Sequence, residues 1–103
     1  MALKTIAGKE LQVSEEGYLE DMTQWNEDIA NEIAKEIGID LTDKHFEVLN
    51  YIREKTEAGE ALTIRKVGKS GIVDIKGLYD LFPKGPLKYS SKIAGIPKPA
   101  SCV

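Results

Sequence analysis

Apolar positions along the chain divide it into one alternating stretch and several stretches of helical period. Around Gly8-Lys9, residues 3–13 alternate apolar and polar in two β-prone runs, LKTIA and ELQV. This pattern predicts a short N-terminal β-hairpin within residues 1–14, with Gly8 supplying the turn. A lone hairpin is marginal in water, so it must pack on something. Ser14 to Gly17 reads as a turn, and Tyr18-Leu19 as an anchor back to the core.

From Trp25 the period changes. Trp25, Ile29, Ile33 and Ile37 recur every four residues with Ala30 and Ala34 beside them. That is one apolar stripe on a helix capped by Thr23 and closed by Gly38. Thr42 restarts helix, which runs to about Glu57 with Phe46, Leu49, Tyr51 and Ile52 on its apolar side. Thr63 caps a shorter helix, 64 to about 69. Asp74 caps another, 75–82, with Leu78, Leu81 and Phe82 packing inward. Pro83 and Pro86 break the chain, and a last helix over 87–94 stops at Gly95. Pro97 and Pro99 then force extended backbone. The expected fold is mainly α: a small orthogonal helical bundle over 23–94 with a helix-turn-helix-like element, the short hairpin, and a mobile C-terminal arm over 95–103. All 103 residues form a single domain.

Charge sharpens the picture. Residues 1–61 carry 6 Lys and Arg against 15 Asp and Glu, whereas residues 62–103 carry 8 against 2. The net −3 therefore hides an acidic first half and a basic second half, and the basic half steers anionic partners. Solvated helix faces would give the same distribution.

No apolar run approaches a membrane span, and the N-terminus has no secretory h-region, so a cytoplasmic location is the default. The one cysteine, Cys102, and the one histidine, His45, make neither an internal disulfide nor a metal site. No cofactor is implied, and neither a phosphate loop nor a paired-carboxylate site is present.

Cys102 stands one residue from the end of the arm. Fully extended, the chain from Ala94 to Val103 reaches roughly 30 Å. A thiol so placed can enter another protein, and its chemistry needs a thiolate that a sulfur donor can reach. The carboxylate of Val103 opposes ionisation, while Lys92 and Lys98 favour it. His45 reads as a structural histidine, because nothing in the spacing brings it to Cys102. Arg65, with Lys66 and Lys69, begins a basic cluster that continues through Lys76, Lys84, Lys88 and Lys92. It offers an anionic-partner surface or an ordinary solvated face.

Three pieces of the second half, LFPKGP (81–86), AGIPKP (94–99) and the terminal Cys102-Val103, together resemble the C-terminus of the DsrC/TusE family. EEGYL (15–19), Trp25 and LTDKHFEVLNYIRE (41–54) extend the resemblance upstream. That family includes the gamma protein associated with dissimilatory sulfite reductase and the sulfur carrier of the tRNA 2-thiouridine relay. The resemblance implies that Cys102 carries sulfur as a persulfide, and that Arg65 occupies a basic position of the family. It also implies partners: an upstream sulfurtransferase complex and an acceptor enzyme, a tRNA thiolase, or else sulfite reductase.

Members coupled to sulfite reductase carry a second cysteine where this chain has Ser91. A hydroxyl forms no disulfide, so intramolecular bridging with Cys102 is excluded. Ser101 in place of a glycine, Phe46 in place of a tryptophan and an unusual 61–71 segment are further departures. The reading is a persulfide carrier of sulfurtransferase type rather than a stand-alone catalyst. The alternatives are a gamma-type accessory protein of sulfite reductase and a helix-turn-helix DNA-binding regulator. A sequence pI near 5.2 and basic residues without interleaved aromatics argue against direct nucleic-acid binding.

Overall fold

The computed structural model describes residues 2–98. Two antiparallel strands, β1 (Ala2–Ile6) and β2 (Lys9–Val13), pair in the register Ala2 with Val13 through Ile6 with Lys9. The turn residues are Ala7 and Gly8, both left-handed at φ 51° and 82°. The hairpin therefore turns one residue earlier than the Gly8-Lys9 expected from the sequence. Positive φ at both central positions matches the right-handed twist of the strands. Only one face of the ribbon is covered: Ile6, Leu11 and Val13 are buried, and the other strand positions are exposed. Tyr18 and Leu19 are fully buried, and Leu19 bridges back to Val13.

Five helices follow a short 3₁₀ turn at Met22–Gln24. They are α1 (Glu27–Ile37), α2 (Asp43–Glu57), α3 (Ile64–Gly68), α4 (Ile75–Leu81) and α5 (Pro86–Ile93). Thr42, Thr63 and Asp74 cap α2, α3 and α4 through their side chains, as their spacing predicts. Gly38 closes α1 at φ 96°.

The start of α1 differs from expectation. Its cap is Asn26, whose Oδ1 accepts from Ile29 N–H at 2.9 Å. Thr23 lies in the preceding 3₁₀ turn, where its N–H and hydroxyl both donate to Asp21. Trp25 is therefore outside the helix and does not head its apolar stripe.

The α2 face also shifts. His45, Val48, Leu49 and Ile52 are buried, while Phe46 and Tyr51 are only half-covered. Helix α5 packs against α1, α2 and α4 and contributes Leu87 and Ile93 to the core. It is the rod on which α1, α2 and α4 converge, and its C-terminal end is where the arm leaves. Helices α3 and α4 form the helix-turn-helix-like pair. A Cβ on Gly68 would lie 2.5 Å from Ile75 Cγ1, so the two helices approach as closely as they do because Gly68 has no side chain.

Candidate functional site at the root of the C-terminal arm

Helix α5 ends with carbonyl groups that no further turn can satisfy. Two side chains from distant parts of the chain take them. Trp25 Nε1–H donates to Ile93 O at 2.8 Å. Arg53, on α2, donates from Nη1 to Ala94 O at 2.8 Å and from Nη2 to Met22 O at 3.0 Å. The guanidinium lies over the Trp25 ring, 4.4 Å from its centroid. One planar fork thus ties the 3₁₀ turn, the indole and the end of α5 together. Burial pulls the Arg53 pKa below its ordinary value, and Glu57 opposes that shift.

Gly95 comes next, at φ 71°. A Cβ there would stand 2.3 Å from Trp25 Cδ1 and 3.0 Å from Leu19 Cδ1. Glycine is required twice over, by backbone conformation and by the indole pressed against it. Ile96 is fully buried, and its N–H donates to Ser91 O at 3.3 Å. Gly95 and Ile96 are therefore part of the body, and the expected arm starts later than residue 95. Pro97 and Lys98 are exposed. Lys98 Nζ reaches Glu16 Oε1 at 2.7 Å, which fastens the arm to the turn after β2. A shallow groove of about 200 Å³ runs beside this stretch, walled by Thr56, Glu60, Ala61, Leu62 and residues 96–98.

The sequence-predicted site residues are placed as follows. Cys102, with Pro99, Ala100, Ser101 and Val103, lies outside the described residues. Lys92 and Lys98 converge on one carboxylate: Glu16 is held below the ordinary carboxylate value by the Lys98 hydrogen bond first, with Lys88 and Lys92 adding attraction. Lys92 also sits over the Tyr18 ring at 5.4 Å. Arg65 is exposed on α3 and is not among the cations acting on Glu16. Its neighbour Lys66 pairs with Glu60 at 2.7 Å, so the basic cluster is partly neutralised by the acidic half.

Ser91 is fully buried on α5, and its hydroxyl has no hydrogen-bond partner among the described residues.

His45 is structural, as expected. Its Nδ1 accepts from Thr42 N–H at 3.1 Å, closing a capping box, and its Nε2 meets Leu81 O at 2.9 Å. With Nδ1 as acceptor, the proton sits on Nε2 and is donated to that carbonyl. Phe82 packs edge-on at 5.2 Å.

Arg53 carries no distinctive signal in the sequence, because its partners are backbone carbonyls far away in the chain. Trp25 could have been found: Asn26-Glu27-Asp28 is a stronger helix start than Thr23, and it leaves the indole free for another task. Among the described residues, no group of His, Cys, Asp and Glu could hold a metal, and no helix is long and apolar enough to cross a membrane.

Comparison with known proteins gives a consistent picture. The family described as DsrC like protein matches residues 5–103. Sulfurtransferase TusE of Salmonella typhimurium is 43% identical over 104 residues, covering 93% of this chain and 95% of that protein. Its Escherichia coli counterpart is 41% identical over the same shares. The solution structure of Allochromatium vinosum DsrC covers 99% of this chain and 100% of its own, at 37% identity and a TM-score of 0.80. The oxidised gamma-subunit of dissimilatory sulfite reductase from Archaeoglobus fulgidus matches 99% of this chain and 97% of its own, at 33% identity and a TM-score of 0.79. The hairpin and the helices that follow it are thus those of a known fold, and the chain belongs to the DsrC-like family.

Proposed function

We propose that this protein is a sulfur carrier. In this reading the Cys102 thiolate attacks the outer sulfur of a donor persulfide. The donor's S–S bond breaks, the donor cysteine leaves as a thiolate, and Cys102 keeps the sulfur as its own persulfide. An acceptor thiolate then attacks that outer sulfur and regenerates the Cys102 thiolate. Each step exchanges one S–S bond for another, so no external oxidant or reductant is needed. The observation that carries the reading is the identity of 41–43%, over nearly the whole chain, to proteins named sulfurtransferase TusE. Cys102 as the sole cysteine supports it, because one thiol can be loaded and unloaded but cannot bridge internally. The partners would be an upstream sulfurtransferase complex and an acceptor enzyme of the tRNA 2-thiouridine type, in the cytoplasm. Lys98 and Lys92, near the arm, would favour the anionic persulfide over the neutral form, with Arg65 as a more distant partner contact.

Docking on sulfite reductase is the second reading, and it is favoured by the gamma-subunit among the structural relatives. Ser91 weighs against it, since a cycle that closes a disulfide needs a second thiol. For the DNA-binding alternative, the exposed residues of α4 count against a phosphate-seeking surface: Ile75, Tyr79 and Asp80 accompany the single Lys76.

Intact-mass spectrometry after incubation with a persulfide-loaded cysteine desulfurase tests the carrier reading. Wild type should gain one sulfur atom that reductant removes, and Cys102→Ser should gain none. Wild type that stays unloaded would sink it.

A further inference from the structure

The contacts at the end of α5 carry more than stability. A guanidinium half-withdrawn from water is a costly way to hold a core together, and an apolar residue of similar volume often does so as well or better. What a planar fork supplies is direction. Arg53 bonds two carbonyls that belong to different segments, Met22 and Ala94, while its guanidinium carbon stands over the Trp25 ring. Trp25 bonds the carbonyl just before, Ile93 O, and its ring walls in Gly95. The orientation of the last turn of α5, and so the exit of the chain at Ile96, is fixed at three points around one aromatic plane.

The lever beyond that point is short but sensitive. From Ile96 to Cys102 the chain reaches at most ~21 Å, so a 30° swing of the root can move the thiol by up to about 11 Å. Sulfur transfer between two proteins needs the reacting atoms within roughly 3–3.5 Å of each other.

We infer that Arg53, with Trp25, is a positioning residue: it aims the arm so that Cys102 meets the sulfur of a partner protein, without touching that sulfur itself. This rests on the carrier reading for its purpose, but the aiming can be measured on its own.

The chain supplies the means, because Trp25 is its one tryptophan and Cys102 its one cysteine. A thiol-reactive energy-transfer acceptor on Cys102 reports the distribution of distances to Trp25, with each unlabelled variant as its own lifetime reference. Arg53→Met keeps the packing stem and loses the fork. Arg53→Lys keeps the charge and can reach only one carbonyl at a time.

Both variants should keep the wild-type far-UV spectrum and load sulfur from inorganic polysulfide at the wild-type rate. Both should show a broadened distance distribution and take sulfur from a persulfide-loaded cysteine desulfurase at least about tenfold more slowly. A residue of merely structural importance would instead lower both rates together with the melting temperature. Distributions as narrow as wild type in both variants would overturn the inference. So would a broadened distribution with undiminished protein-to-protein transfer, or full rescue by Arg53→Lys. A wild type that takes no sulfur from either donor would defeat the carrier reading alone, since the distance widths still decide whether Arg53 holds the root.

Discussion

At Gly95 two constraints coincide, a left-handed backbone and an indole at its Cα. Gly95→Ala should cost about 2–4 kcal/mol, from the left-handed penalty and the overpacking of Trp25 and Leu19. Equilibrium denaturation would measure it, and a cost below 1 kcal/mol would mean that the indole can swing away. Ser91 should behave in the opposite sense. Its hydroxyl is buried with no partner among the described residues, so Ser91→Ala should stabilise the fold by about 1 kcal/mol, read as a higher denaturant midpoint. The sequence pointed to both positions, Gly95 as a bend and Ser91 as the place of a missing thiol. It did not point to Arg53. A charged residue that serves backbone carbonyls from 41 positions away leaves no local pattern to read.

At the scale of the element, the helices were legible wherever a capping residue and an apolar period agreed. Thr42, Thr63, Asp74 and Gly38 marked their boundaries to within a residue. The entry to α1 misled because Trp25 falls by coincidence on the four-residue spacing of Ile29, Ile33 and Ile37. A measurement can separate the two starts. Asn26→Ala should cost about 1 kcal/mol through loss of the cap, while Thr23→Ala, whose side chain bonds only Asp21, should stay within about 0.5 kcal/mol. Equal losses would restore Thr23 as a cap. The α2 face misled for a related reason: the aromatic residues Phe46 and Tyr51 drew attention from His45 and Val48, yet large side chains on a small domain are often only half-covered.

Across the whole molecule, the acidic first half and the basic second half are brought into contact, and Lys98 with Glu16 is one such contact at the arm. Both side chains are about half exposed, so the pair is sensitive to salt. The pH sense follows from the direction of the shift. The Glu16 carboxyl titrates below its ordinary 4.5 in the fold, because Lys98 hydrogen-bonds its charged form. Its contribution is therefore present above that ordinary value and is lost as pH falls through the lowered folded one. The Trp25-to-Cys102 distance distribution should be narrower at neutral pH and low salt than when the Lys98–Glu16 pair is parted. It should broaden in molar salt, or as the pH falls through the lowered Glu16 value. Glu16→Gln should be broad throughout, and a distribution indifferent to salt, pH and this variant would show that the ion pair does not hold the arm. The division of charge was visible in the sequence. Which carboxylate meets which ammonium was not, since 82 residues separate them.

The bonds that set the arm's direction join residues 68, 41 and 82 positions apart. Contacts of such separation come at the end of the search for structure, because long loops must close before they form. Synthesis runs the same way: Ile93 and Ala94 are added long after Trp25 and Arg53, and their bonds can form only then. In a partly opened chain a sulfur-carrying Cys102 would have nothing to direct it, and only the closed fold would offer it to a partner.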